Sequence, residues 1–375
     1  LYNPIVRSLV MLVTACAVLV WAAAAAPGRP ERQPVEFGRD VRPILSNKCF
    51  RCHGPDAAVA DMTGLRLDLP DSAHSDRGGY AAFSPGSVET SRALERAVAP
   101  PELRMPPADS GIAPLTTDEL EVLRQWVREG AKYEAHWAFT PPQSPAPPPV
   151  SEPDWCRNEL DRFVLAGLDR AGLAPEPEAD LLTLGRRAAL TLTGLPLTPD
   201  EADALLADTR PGAYERLVDR LLASPRYGEH QARYWLDAVR YGDTHGLHLD
   251  NERLAWPYRD WVVRALNEDL PFDQFTVWQL AGDMLPEPTL DQRVASGYIR
   301  MNPTTNEGGA IVEEFLAKNT FDRVDTTSTV FLGVTMACAR CHDHKYDPFT
   351  QRDYFRLFAY FNSTAESALD GNLLA

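Results

Sequence analysis

At 375 residues, with 44% hydrophobic and 24% charged positions, the chain is long enough for two or three ordinary domains. Collagen, wholesale disorder and a polytopic membrane protein are excluded by the same numbers. Lysine and arginine number 37 against 53 aspartates and glutamates, and the formal charge of -16 repels phosphate backbones, so no nucleic-acid partner is expected.

In chain order, Arg7 precedes an uncharged run from Leu9 to Ala26 that ends in small residues before Pro27 and Gly28. A basic flank, an apolar core and a small-residue end over residues 1–26 are the layout of an export signal. The run is also nearly long enough for an uncleaved membrane anchor, and Val13-Thr14-Ala15-Cys16 resembles a lipidation box. Each reading places the remainder outside the cytoplasm, in the periplasm or at the cell surface.

The 6 cysteines are Cys16, Cys49, Cys52, Cys156, Cys338 and Cys341. Four of them form two equal spacings, Cys49-Phe50-Arg51-Cys52-His53 and Cys338-Ala339-Arg340-Cys341-His342. C-x-x-C-H is the attachment pattern of c-type haem: two thiols add to the haem vinyls and the adjacent histidine reaches the iron. Two covalent haem c groups are therefore expected, on Cys49 and Cys52 with His53, and on Cys338 and Cys341 with His342. The second copy runs on through Asp343 to His344, so a structural metal held by Cys338, Cys341, His342 and His344 is the rival reading there.

Residues 36–133 read as a small class I cytochrome c-like domain: a short helix, the first motif, a stretch rich in Gly, Pro and Asp, and a last helix. Thr116 and Glu119 make a capping box for that helix, Leu120, Leu123 and Val127 keep its apolar face, and Gly130 stands at its end. Before it comes Arg104-Met105-Pro106-Pro107, which makes Met105 the candidate sixth ligand of the first iron; a methionine filling a core gap is the plainer alternative. Residues 138–154 are a proline-rich linker. From 155 to 375 the pattern is helical with little strand signal. Helices are expected over Glu159 to Leu173, Asp180 to Leu192, Pro199 to Ala207, Gly212 to Ala223, Tyr227 to Tyr241, Pro257 to Glu268, Phe272 to Leu280 and Glu313 to Gly333. The fold class is mainly α, with the larger all-α domain carrying the second haem motif.

Several motifs together resemble a known family. Phe37-Gly38-Arg39-Asp40-Val41-Arg42-Pro43-Ile44-Leu45, Arg104-Met105-Pro106-Pro107 and Trp126-Val127-Arg128-Glu129-Gly130-Ala131 are similar to the planctomycete cytochrome C domain. Trp256-Pro257-Tyr258-Arg259-Asp260-Trp261, Gln279-Leu280-Ala281-Gly282-Asp283 and Cys341-His342-Asp343-His344-Lys345-Tyr346-Asp347-Pro348 resemble the domain of unknown function that accompanies it. The resemblance implies haem c and electron transfer. Family members usually run on into a further C-terminal domain, so the chain, which starts at Leu1, is expected to be a fragment.

For the second iron, His344 and Met336 stand too close to the motif in sequence to reach the opposite face of the ring. His230, His245, His248, Met284 and Met301 remain. His245, in the loop Asp243-Thr244-His245-Gly246-Leu247-His248, is the residue placed there, and five-coordinate iron is the alternative. Asp237, Asp243, Asp250, Glu307, Glu313 and Glu314 are candidates for calcium binding or sugar chemistry, against a reading as solvated charge. Trp235, Trp256 and Trp261 would either stack on a glycan or pack the core. Two functions follow: an exported dihaem cytochrome that exchanges electrons with a partner protein or a missing C-terminal domain, or a haem-dependent oxidase or peroxidase-like enzyme acting on an extracellular substrate such as a polysaccharide.

Overall fold

The computed structural model describes residues 34–55, 64–248, 250–364 and 369. The expected leader, with Cys16, lies outside them. Among the described residues the chain is helical and has no strand beyond isolated bridges, and no helix is long and apolar enough to cross a membrane. Two compact units divide at Thr140 and Pro141, within the proline-rich stretch.

The first unit opens on a π-type turn, Phe37–Val41, followed by α1 (Arg42–Lys48) and α2 (Phe50–His53). Then come α3 (Pro70–His74), α4 (Arg92–Ala97) and α5 (Thr117–Arg128). The capping box of α5 forms as its sequence requires: the Glu119 N–H donates to Thr116 Oγ1 at 3.2 Å and the Thr116 N–H to Glu119 Oε2 at 2.7 Å. Its apolar face buries Leu123, Trp126 and Val127 against Phe37, Val41, Leu45 and Phe83. Trp126 is central, with Phe83 edge-on at 5.1 Å and its indole N–H on the Lys132 carbonyl at 2.9 Å. Phe50, the first residue inside the C-x-x-C, is buried in the same core, which ties the haem motif to the most rigid part of the unit.

In the second unit α6 (Glu159–Ala171), α7 (Leu181–Thr193), α8 (Pro199–Ala207) and α9 (Ala213–Leu222) precede α10 (Pro225–Ala238), α11 (Trp256–Asn267) and α12 (Phe272–Ala281). All fall within a few residues of the expected bounds. α13 (Leu290–Ala295) and α15 (Gln351–Asn362) had no expectation. The 21-residue α14 (Val312–Leu332) ends where Gly333 takes a left-handed conformation, φ 64°, a backbone position that suits glycine. The second motif does not continue that helix, as expected, but sits beyond it on a separate 3-10 turn, Ala337–Arg340.

The tryptophan candidates divide. Trp261 lies in the core, stacked on Phe275 at 5.2 Å, and the half-buried Trp235 donates its indole N–H to Gln279 Oε1 at 2.9 Å, so both take the packing alternative, whereas Trp256 is 50% exposed. Met301 is likewise buried in this core, while Met284 is 80% exposed.

The buried position of Phe50 gives a direct test. Phe50→Ala should lower the urea stability of the first unit by about 3–5 kcal/mol, the range for truncating a core phenylalanine, whereas Arg51→Ala, at the exposed next position, should stay within about 1 kcal/mol.

Candidate haem-attachment sites

Both C-x-x-C-H segments form a single helical turn in which two backbone N–H groups converge on the carbonyl of the first cysteine. In the first, Cys52 N and His53 N lie 3.1 and 2.9 Å from Cys49 O. In the second, Cys341 N and His342 N lie 3.3 and 3.4 Å from Cys338 O. Such a turn places residues three and four apart on one face, so two thiols and an imidazole project together. The residue after the first cysteine is the anchor in both: Phe50 is 4% exposed and Ala339 0%. The next is an exposed arginine in both, Arg51 and Arg340.

Gly54 lets the chain leave the first turn. A Cβ there would stand 2.4 Å from the Phe50 carbonyl oxygen, so only glycine fits. Beyond the motif the chain folds back, with Leu67 N on His53 O at 2.7 Å. Burial pushes the Cys49 thiol up to about 12, with the neighbouring Cys52 acting in the same direction. Burial also holds the His53 imidazole toward its neutral form; a hydrogen bond to the Leu65 backbone opposes this and the Arg77 charge assists it. A neutral imidazole is the form that ligates a metal.

Several polar atoms of this unit are left unsatisfied by the protein. Ser46 Oγ, His53 Nδ1, His74 Nε2, Arg77 Nε and Arg104 Nε are buried without a hydrogen-bond partner, and each such group costs about 1–3 kcal/mol if nothing polar meets it. His53 belongs to the turn itself and Arg77 is joined to it through residues 64–67; with the paired thiols, these two fit a prosthetic group with a polar edge. Met105 is 42% exposed, but the chain following it is fastened to the motif: Arg51 Nη1 donates to Ser110 O at 3.0 Å, and Lys48 Nζ to Ala113 O and Pro114 O at 3.3 and 3.2 Å. The Met105 loop therefore leads directly onto the haem turn. Neither His74 nor the two arginines stood out in the sequence, because arginine and histidine are ordinary surface residues until burial is known.

At the second turn both thiols and His342 are exposed. His342 Nδ1 lies 2.8 Å from the Asp343 carbonyl, which can only accept, so Nδ1 donates and Nε2 is the ring nitrogen left to ligate. That backbone contact is the usual orienting bond of a ligating histidine. Arg340 lies over the Phe321 ring at 3.5 Å and fixes the turn on α14.

The rival metal reading of this segment is corrected by His344. It is buried, and its Nδ1 accepts from the Asp347 and Tyr346 N–H groups at 2.9 and 3.3 Å, turned into its own loop while the thiols face outward. Among the described residues no group of three His, Cys, Asp or Glu could hold a metal ion, which also leaves the calcium reading of the carboxylates without support.

His245 is 2% exposed, its ring reaches Thr304 Oγ1 at 3.3 Å, and its carbonyl accepts from Thr304 N at 3.0 Å. The neighbouring Asn302 Oδ1 lies 3.3 Å from Arg323 Nη2 of α14. His248 is engaged as well, with Nδ1 2.7 Å from Thr305 Oγ1 and Nε2 3.3 Å from Glu307 Oε2. His230 packs against Tyr234 and over Gly194.

The contrast in thiol exposure predicts an order of alkylation. In the folded, haem-free chain Cys338 and Cys341 should react with iodoacetamide at least tenfold faster than Cys49, whose buried thiol stays protonated; denaturation should erase the difference. Peptide mapping by mass spectrometry reads the order.

No curated protein and no solved structure matches the chain. Two family models do. The model described as Planctomycete cytochrome C matches residues 49–109, spanning the first haem turn and Met105. The model described as Protein of unknown function (DUF1549) matches residues 159–366, more than half of the chain. The chain is a cytochrome c-like haem protein that belongs to the DUF1549 family, with the planctomycete cytochrome C domain ahead of the family domain.

Proposed function

We propose that the protein is an exported dihaem c-type cytochrome that carries electrons to or from a partner protein or a further domain. The observation that supports this reading best is the shared geometry of the two C-x-x-C-H turns, with the same carbonyl convergence, buried anchor and exposed arginine. When bound, haem c supplies one-electron redox chemistry. The chain's own residues hold the thiols on one face, hold the His53 imidazole toward its neutral form and orient the His342 ring through Asp343. Location outside the cytoplasm is supported by the leader pattern over residues 1–26, because covalent haem of this type is attached there.

Met105 is the proposed sixth ligand of the first iron, supported by a loop fastened to the motif through Arg51 and Lys48. Spectroelectrochemistry should resolve two one-electron steps per chain. The oxidised protein should show a far-red sulfur-to-iron band that Met105→Ala abolishes, with a lower potential for the first haem. A band unchanged in that variant would return Met105 to a packing role.

The engagement of the His245 ring by Thr304 and of the His248 ring by Thr305 and Glu307 favours a second reading, in which the second iron has an open site and the family domain is a haem-dependent oxidase or peroxidase-like enzyme. Carbon monoxide separates the two. Exclusion from both reduced haems is the expected result for a carrier; rapid binding at one haem per chain, with peroxide turnover, would establish the enzyme.

A further inference from the structure

Arg77 is not among the carboxylate-paired arginines of its unit, such as Arg39 with Asp40, Arg66 with Asp68 and Arg92 with Glu95. The hydrogen-bond partners of the Arg77 side chain are neutral: Nη2 donates to Gly64 O at 2.8 Å and reaches Ser72 Oγ at 3.5 Å. Its Nε is buried with no partner. A guanidinium with a buried N–H and no carboxylate is costly, and the fork that matches a carboxylate is left half used.

The position of this unsatisfied group is informative. Residues 64–67 run between Arg77 and the haem turn: Gly64 O accepts from Arg77, Ser72 Oγ accepts from Arg66 N at 2.8 Å, and Leu67 N donates to His53 O at 2.7 Å. Arg77 and His53 thus flank one short segment. The turn at Arg77 is itself closed, with Arg77 N on Tyr80 O at 2.8 Å and Gly79 N on Asp76 Oδ1 at 2.7 Å, so the side chain is presented from a fixed backbone.

We propose that Arg77 is the counter-charge for a propionate carboxylate of the haem attached at Cys49 and Cys52, its Nε–H and Nη–H taking the two carboxylate oxygens. The inference rests on haem attachment at the first turn. It makes Arg77 a positioning and electrostatic residue: it orients one edge of the ring and cancels a negative charge that would otherwise favour ferric iron.

The experiment uses the full haem-loaded chain, with Arg77→Gln, Arg77→Lys and Arg104→Gln beside the unaltered protein. Haem content by pyridine haemochrome comes first; no haem on the unaltered first motif defeats the underlying reading, separately from any role of Arg77. In loaded Arg77→Gln, the potential of the first haem should shift downward and become pH-dependent, and the propionate bending band in the resonance Raman spectrum should move. Arg77→Lys should keep most of the potential, since the charge remains, yet show the altered Raman band, since an ammonium offers no fork. If Arg77→Gln loads no haem, the Raman band of Arg77→Lys decides alone. An unchanged band and potential in the Arg77 variants, or the same shifts produced by Arg104→Gln instead, would overturn the assignment.

Discussion

Everything else in the reading depends on one small piece of backbone, a helical turn closed by two N–H groups on a single carbonyl. The chemistry of thioether attachment needs two sulfurs a fixed distance apart and an imidazole beside them, and a turn with residues i, i+3 and i+4 on one face supplies that spacing without further devices. What the remainder of each unit adds is rigidity. Phe50 drives the first turn into the Trp126 core, and Ala339 seats the second against Val324, Met336 and Tyr354. Phe50 and Ala339 each bury a side chain between two cysteines; Cys338 and Cys341 are exposed beside Ala339, whereas Cys49 packs against the same core as Phe50.

The two turns differ in their surroundings, and the difference is physical. The first is enclosed: the Cys49 thiol is hard to ionise, the histidine is held toward its neutral form, and His53 Nδ1 finds no partner. The second lies open, with its arginine over Phe321 of α14 and its histidine oriented by one backbone carbonyl.

Much of the helical framework was legible in the sequence. The capping pair Thr116 with Glu119 marks a helix start that the structure keeps, and Gly130, with φ 104°, stands just past that helix's end. The haem turns were legible too, because cysteine spacing is a local property. What the sequence concealed is tertiary. The buried side of α14 carries Asn319, Thr320, Arg323, Thr326 and Thr327, residues that look like a solvent face until their partners on the 298–305 segment are seen. The same concealment covers His245: in sequence it is a loop histidine beside a glycine, whereas in the fold its backbone is tied to Asn251 and Thr304 and its ring is buried beside Thr304. Arg77 was hidden for the converse reason, as a surface residue type placed beside a buried imidazole.

The central claim is that both turns carry covalent haem. Intact-mass spectrometry under denaturing conditions, on the full chain produced with c-type haem maturation, tests it most directly, since only thioether-bound haem survives unfolding. Two haem masses per chain are predicted, falling to one in Cys338→Ala/Cys341→Ala and to one in Cys49→Ala/Cys52→Ala. A single haem mass on the unaltered chain, unaffected by removal of Cys338 and Cys341, would contradict the account.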